Sequence, residues 1–132
     1  EINHNEKTVQ ICQALSKMLK YSASMNHGMA TLQEEMDHAG NYLALMKQRY
    51  EDGFRYSIRM EPALAGQPVC KLMVQPICEN CFKHAFSQLE EVWRIDLRAF
   101  SQNGSWFVTV EELLELNGIQ PQAGAMYRSG RV

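Results

Sequence analysis

Two alternating apolar and polar segments, separated by Asn103-Gly104, constrain the fold of this chain most strongly. Residues 92–100 and 105–110 alternate as half-buried strands do, and Asn-Gly between such segments is typical of a tight hairpin turn. A third alternating segment, Phe54–Met60, follows the turn signal Asp52-Gly53. The pattern therefore predicts a sheet that contains at least one hairpin.

Helical periodicity precedes these strands in two places. Residues 6–21 have apolar side chains at helical spacing, and Thr31 with Glu34 forms a capping box that opens a second helix. The second helix has one apolar stripe, which we expect to pack against the sheet or the first helix: Leu32, Met36, Ala39, Leu43, Met46 and Tyr50. His38, one turn after Glu34, is expected in a solvated ion pair.

The secondary structure of the remaining segments is predicted from their proline and glycine residues and from their lack of periodicity. Residues 22–30 and 61–68 are expected to be loops, and a third helix is expected to begin at Val69. Pro76 would then lie inside that helix and kink it just before Glu79. The segment from Glu111 is expected to be helical, and residues 120–132 to form a lid or tail.

Bulk composition excludes several classes. The chain has 132 residues, 45% of them hydrophobic and 21% charged, as in one ordinary globular domain. A net charge of −2 offers no general attraction to nucleic acid, so the arginines and aromatic residues of the hairpin are assigned to packing. Apolar runs are too short to cross a bilayer, and membrane attachment is expected only through segments outside this chain.

The stretch from Gln75 to His84 concentrates polar chemistry on one helical surface. Glu79 and Lys83 are one turn apart, Asn80 and His84 are one turn apart, and the two pairs lie side by side. The opposite face is apolar and consists of Ile77, Cys78, Cys81, Phe82 and Ala85.

These four polar residues suit a magnesium-bound polyphosphate. The Asn80 carboxamide oxygen is a hard ligand for Mg²⁺, and Glu79 could join it or accept a proton from a nucleophile. Lys83 offers positive charge to phosphate oxygens, and His84 can donate a hydrogen bond to them. The alternative is that all four are simply the solvated side of a surface helix.

The four cysteines include one Cys-x-x-Cys pair, Cys78 and Cys81. A zinc cluster would normally bring a second pair or nearby histidines, whereas only Cys12 and Cys70 occur elsewhere. Small buried side chains are therefore expected rather than metal or redox chemistry.

The run from Leu72 to His84, with Gln75-Pro76 followed by Glu79-Asn80 and Lys83-His84, resembles the N-box of LytS-like sensor histidine kinases. Lys20-Tyr21-Ser22 is similar to the Arg-Tyr-Ser at the end of a helix in that family. Residues 31–50, from Thr31-Leu32-Gln33-Glu34-Glu35 to Gln48-Arg49-Tyr50, resemble the family's following helix. Order and spacing agree, so the resemblance covers roughly residues 2–100.

The resemblance implies a GHKL-type (HATPase) ATP-binding catalytic domain. Its fold would be α+β, a two-layer α/β sandwich whose mixed sheet has helices on one face, preceded by an N-terminal helix. Residues 1–30 would end a dimerisation and phosphoacceptor region with its linker, and residues 31–132 would form the catalytic domain. Carried over, Asn80 would ligate magnesium, Glu79 would act on the acceptor histidine, and Lys83 and His84 would contact phosphate.

The implied activity is phosphoryl transfer from Mg-ATP to a histidine upstream of this chain, since none of the histidines here lies in the acceptor pattern. The implied setting is a homodimeric kinase, the chain being a cytoplasmic part of a membrane-anchored sensor that passes phosphate to a response regulator. By itself this catalytic fragment is expected to be inactive.

The chain departs from the family after Val110. The expected Asp-x-Gly-x-Gly box, whose aspartate binds adenine, is absent, as is the later glycine box. We expect that residues are missing between Val110 and Glu115 rather than that the box has been lost. The alternative function is a degenerate domain that no longer binds nucleotide and serves as a dimerisation or regulatory module.

Overall fold

The computed structural model describes residues 4–24, 28–84, 92–115 and 126–131. It contains three helices, α1 (His4–Ala23), α2 (Leu32–Tyr50) and α3 (Gln75–His84). Its strands are β1 (Met29–Thr31), β2 (Phe54–Met60), β3 (Pro68–Cys70), β4 (Val92–Gln102), β5 (Ser105–Glu115) and β6 (Met126–Arg131). Short 3₁₀ turns lie at Glu51–Gly53 and Pro62–Leu64.

The main sheet is mixed and has the order β2-β4-β5-β6. Strand β2 runs parallel to β4, whereas the β4–β5 and β5–β6 pairs are antiparallel. A parallel pair needs a crossover connection, and the segment that joins β2 to β4 contains α3. Strands β1 and β3 form a separate two-stranded antiparallel sheet. The predicted α+β class with a mixed sheet is confirmed.

The core lies between one face of the main sheet and helices α2 and α3, which also contact each other. Every member of the apolar stripe of α2 is buried except the half-buried Tyr50. The sheet contributes alternate residues of its strands, including Trp93 and Trp106, both of which are buried. Helices on one face of the sheet are thus confirmed. Packing is confirmed for the hairpin residues Trp93 and Trp106, whereas Phe100 and Phe107 are only half-buried.

Local signals explain how α2 and the hairpin form. Thr31 Oγ1 accepts from the Glu34 N–H at 3.1 Å, and Glu34 Oε1 accepts from the Thr31 N–H at 2.9 Å, which completes the capping box. Asn103 and Gly104 have φ values of 54° and 77°, as the hairpin turn requires. Both predictions are confirmed.

The third helix begins later than expected. Pro68 and Val69 belong to β3, where they pair with Thr31 and Ala30, so the predicted helix start at Val69 is wrong. Because α3 begins at Gln75, Pro76 is its second residue rather than an interior one. A proline in the first turn loses no helical hydrogen bond, so the predicted kink is not needed.

The strands after the hairpin turn are also longer than expected. Strand β5 continues to Glu115, which pairs with Val92, so the helix predicted from Glu111 is wrong as far as Glu115. In the pairing with β4 the register is continuous from Ser105 to Glu115. The expectation of missing residues between Val110 and Glu115 stays a prediction. Met126–Arg131 forms β6 rather than a tail, while the expected lid residues 120–125 lie outside the described residues.

Helix α1 packs along α2, as the predicted N-terminal helix. Lys7 forms an ion pair with Glu51 at 2.6 Å, and Gln48 donates to Gln10 at 2.8 Å. Its other side exposes large apolar side chains: Val9 (53%), Leu15 (43%) and Leu19 (69%). Among the described residues, no helix is long and apolar enough to cross a membrane.

Candidate functional site

Helix α3 contains all four residues predicted to form the site. Glu79 is half-buried and Asn80 is exposed. Lys83 and His84 are the last two residues of α3, one helical turn after Glu79 and Asn80. Side chains of α3 are described as far as Phe82. The backbone of α3 therefore has the predicted one-turn spacing between Glu79 and Lys83 and between Asn80 and His84.

The opposite side of α3 is buried against α2 and the sheet. Ile77 and Cys78 have no exposed surface, and Cys81 and Phe82 are 6% and 3% exposed. This is the apolar face predicted from the sequence, except that Ala85 lies outside the described residues. Burial of this face determines which side chains of α3 point toward solvent.

Phe82 anchors the helix in an aromatic cluster. Its ring centroid lies 4.5 Å from that of Trp93 and 5.1 Å from that of Phe54, both in edge-on arrangements. Tyr42 and Tyr50 of α2 complete the cluster at 5.6 and 6.0 Å. Edge-on aromatic contacts are favourable and directional, so they hold α3 in one orientation on the sheet.

Glu79 lies where α3 meets α2. Gln75 Nε2 donates to Glu79 Oε1 at 2.6 Å, one turn earlier in the same helix. Burial, with the Glu79 charge as the next cause, raises the pKa of Tyr42 to about 12. The carboxylate of Glu79 is therefore held in place beside α2, while the neighbouring carboxamide of Asn80 remains accessible.

The Cys-x-x-Cys pair is built for packing. Burial raises the pKa of Cys78 to about 12, and burial together with the charge of Glu112 raises the pKa of Cys81 well above its usual value. Cys81 Sγ donates to the Ile77 carbonyl oxygen at 3.6 Å. Both thiols lie in the core, where they pack as small apolar side chains. The two other thiols, Cys12 and Cys70, are exposed.

The carboxamide of Asn80 and the carboxylate of Glu79 are the kinds of oxygen donor that Mg²⁺ prefers. No cluster of three or more His, Cys, Asp or Glu side chains with metal-binding geometry occurs in the described part of the chain. Magnesium that carries a polyphosphate needs only one or two protein oxygens, because phosphates and water complete its octahedron. The adjacent carboxamide and carboxylate on α3 fit that limited requirement.

Two residues of α2 differ from what sequence reasoning expected. His38 is 3% exposed and stacks on Tyr21 at 4.4 Å, so the predicted solvated ion pair is wrong. Burial lowers the pKa of His38. Glu35 is completely buried, and the sequence analysis assigned no role to it. Its position beside Leu32 and Met36 on the apolar stripe of α2 was the sequence signal that could have indicated its burial.

Comparisons with known proteins agree with the sequence resemblance. A family model described as histidine kinase matches residues 1–54. The sensor histidine kinase BtsS of Escherichia coli K12 is 27% identical over 108 residues, which cover 82% of this chain and 19% of that protein. The sensor protein kinase HptS of Staphylococcus aureus USA300 is 34% identical over 74 residues, 56% of this chain and 14% of that protein.

One solved structure was also compared with the chain. The histidine kinase domain from the Erythrobacter litoralis EL346 blue-light activated histidine kinase aligns with a TM-score of 0.48 and 16% identity, covering 82% of this chain and 56% of that chain. The chain spans only about a fifth of the length of the E. coli relative.

Proposed function

We propose that this chain, a homologue of sensor histidine kinases, belongs to the GHKL-type catalytic domain of such a kinase and binds Mg-ATP on α3. The observation that carries the proposal is the pairing of a positioned Glu79 with an accessible Asn80 on a helix whose other face is fully buried. A site on a rigid helix keeps its donors in place before the ligand binds.

Each residue has a distinct part in the proposed chemistry. The Asn80 carboxamide oxygen would hold magnesium, which when bound neutralises phosphate charge and aligns the triphosphate. Lys83 and His84 would contact phosphate oxygens. Glu79 would either accept the proton of the attacking histidine or share the metal with Asn80. Transfer to a histidine upstream of this chain then depends mainly on positioning and charge neutralisation.

The proposal includes the wider setting of the kinase. Val9, Leu15 and Leu19 are exposed on α1, and these apolar side chains would face the partner helix in a homodimer. A response regulator would receive the phosphate, and the chain would be the cytoplasmic part of a membrane-anchored sensor. The same exposed apolar side chains favour the second candidate function, a domain that has lost nucleotide binding and serves as a dimerisation or regulatory module.

Titration of Mg-ATP into the full-length protein tests the proposal. Asn80→Ala should weaken Mg-ATP binding by about tenfold or more, because it removes a metal ligand. The matched control is Asn41→Ala, which removes a carboxamide from α2 and should leave the affinity within about twofold. If wild-type protein does not bind Mg-ATP, or Asn80→Ala binds it as wild type does, the proposed nucleotide site is wrong and the regulatory module is favoured.

A further inference from the structure

Glu35 of α2 is a buried carboxylate whose hydrogen-bonding capacity is filled. Oε1 accepts from the N–H groups of Met73 at 2.7 Å and Val74 at 3.0 Å. Oε2 accepts from the Leu72 N–H at 2.9 Å and from the Tyr21 hydroxyl at 2.5 Å. A charge without any exposed surface is stable only with such partners, so this arrangement is a built feature of the fold.

The three backbone donors are consecutive residues that immediately precede α3. Leu72 has a φ of 63°, which turns the chain so that the N–H groups of residues 72–74 converge on one anion. Val74 then accepts from the Ile77 N–H at 3.1 Å as the helix begins. A carboxylate at this end also interacts favourably with the helix dipole. Glu35 therefore satisfies the three backbone N–H groups that lead into α3.

The fourth donor, Tyr21, belongs to the end of α1. Its ring stacks on His38, and the Lys71 ammonium lies 5.0 Å from the ring centroid. Lys71 Nζ also donates to the Ser24 carbonyl oxygen at 2.5 Å. The last turn of α1 is thus tied both to Glu35 and to the residue that precedes the three backbone donors.

We propose that Tyr21 and Glu35 are positioning residues that transmit the placement of α1 to the start of α3, and so to Glu79 and Asn80. Tyr21 belongs to the motif Lys20-Tyr21-Ser22, and Glu35 belongs to the motif Leu32-Gln33-Glu34-Glu35. The proposed nucleotide site uses neither motif. The inference rests on the proposed function, because the link matters for catalysis only if α3 holds the nucleotide. A displacement of α1 would then change how the bound phosphate faces its acceptor.

Hydrogen–deuterium exchange of the full-length protein without nucleotide tests the link directly. Tyr21→Phe removes only the hydroxyl and should raise the exchange rates of the residue 72–74 amides by about three- to tenfold. Tyr56→Phe, which removes a hydroxyl from a stacked ring on β2, is the matched control and should leave those rates within about twofold. Amides of β4 report any global loss of stability and should not change.

A kinetic measurement separates positioning from binding. At saturating Mg-ATP, Tyr21→Phe should lower the autophosphorylation rate by about tenfold while the Mg-ATP affinity stays within about twofold of wild type. Glu35→Gln, which replaces one acceptor oxygen by a donor, should raise the exchange at residues 72–74 further and also weaken nucleotide binding.

The outcomes are distinguishable. Unchanged exchange at residues 72–74 in Tyr21→Phe, or an equal rise in Tyr56→Phe, would overturn the link even if the protein is an active kinase. Wild-type protein that binds no Mg-ATP would refute the proposed function and, with it, the catalytic meaning of the link, whereas the exchange data would still decide whether α1 and α3 are coupled.

Discussion

Replacement of Phe82 by alanine should weaken the packing of α3 on the sheet and lower the free energy of unfolding. The side chain is 3% exposed, and its ring contacts four other aromatic rings on α2 and the sheet. Truncation of a buried Phe costs about 3–5 kcal/mol through lost transfer free energy and the remaining cavity. For a chain of this size, that loss corresponds to a decrease in Tm of roughly 10–20 °C.

Phe100 offers a matched control on another part of the sheet. Its ring is half-buried, stacks on Phe107 at 5.6 Å and carries Arg98 at 4.9 Å from its centroid. Phe100→Ala should therefore cost only about 1–2 kcal/mol, because less of the ring leaves water on folding. Denaturation by urea, followed by circular dichroism, measures both free energies of unfolding.

Nucleotide binding should separate the same two variants. On the proposed function, and at a temperature where both variants are folded, Phe82→Ala should bind Mg-ATP more weakly than Phe100→Ala, because the loosened α3 would no longer hold Asn80 in place. If Phe82→Ala destabilises the protein no more than Phe100→Ala does, the aromatic cluster does not anchor α3 and the reasoning fails.

Two further predictions concern α2. Thr31→Ala should lower the free energy of unfolding by about 1 kcal/mol, because it removes the side-chain acceptor of the capping box. The control Gln33→Ala, on the exposed side of α2, should change the free energy of unfolding by less than about 0.5 kcal/mol. Equal effects of the two substitutions in urea denaturation would contradict the role of the cap. The pKa of His38 is lower in the folded state than its unfolded value of about 6.5, so the unfolded chain binds the proton more readily and stability should fall as the pH drops below 6.5. Denaturation at pH 7.5 and 5.5 should show this loss in wild type and a smaller loss in His38→Gln, and an equal loss in both proteins would assign the effect to other groups.

Sequence patterns predicted the elements that local interactions determine. The capping box at Thr31 needs only Glu34, and the hairpin turn needs only Asn103 and Gly104 with alternating neighbours. The apolar faces of α2 and α3 follow from helical periodicity alone. The residues that form each of these features lie close together in the sequence, so the features could be predicted without knowledge of the fold.

Strand assignments failed where pairing is distant in sequence. Glu111–Glu115 is rich in residues that favour helix, yet it extends β5 because Val92 and its neighbours offer unpaired backbone groups beside it. Pro68–Cys70 is a strand because it pairs with Met29–Thr31, and this moves the start of α3 to Gln75. Local propensity is weak compared with the hydrogen bonds that such pairing supplies.

The sequence by itself determined the chemistry available on α3, since Glu79, Asn80, Lys83 and His84 must share one surface if the segment is helical. Only the tertiary structure decided how that helix is held, through the aromatic cluster around Phe82 and through the Glu35 carboxylate at its start. Glu35 meets Tyr21 fourteen positions earlier and Val74 thirty-nine positions later, and contacts over such separations arise only when the chain is folded.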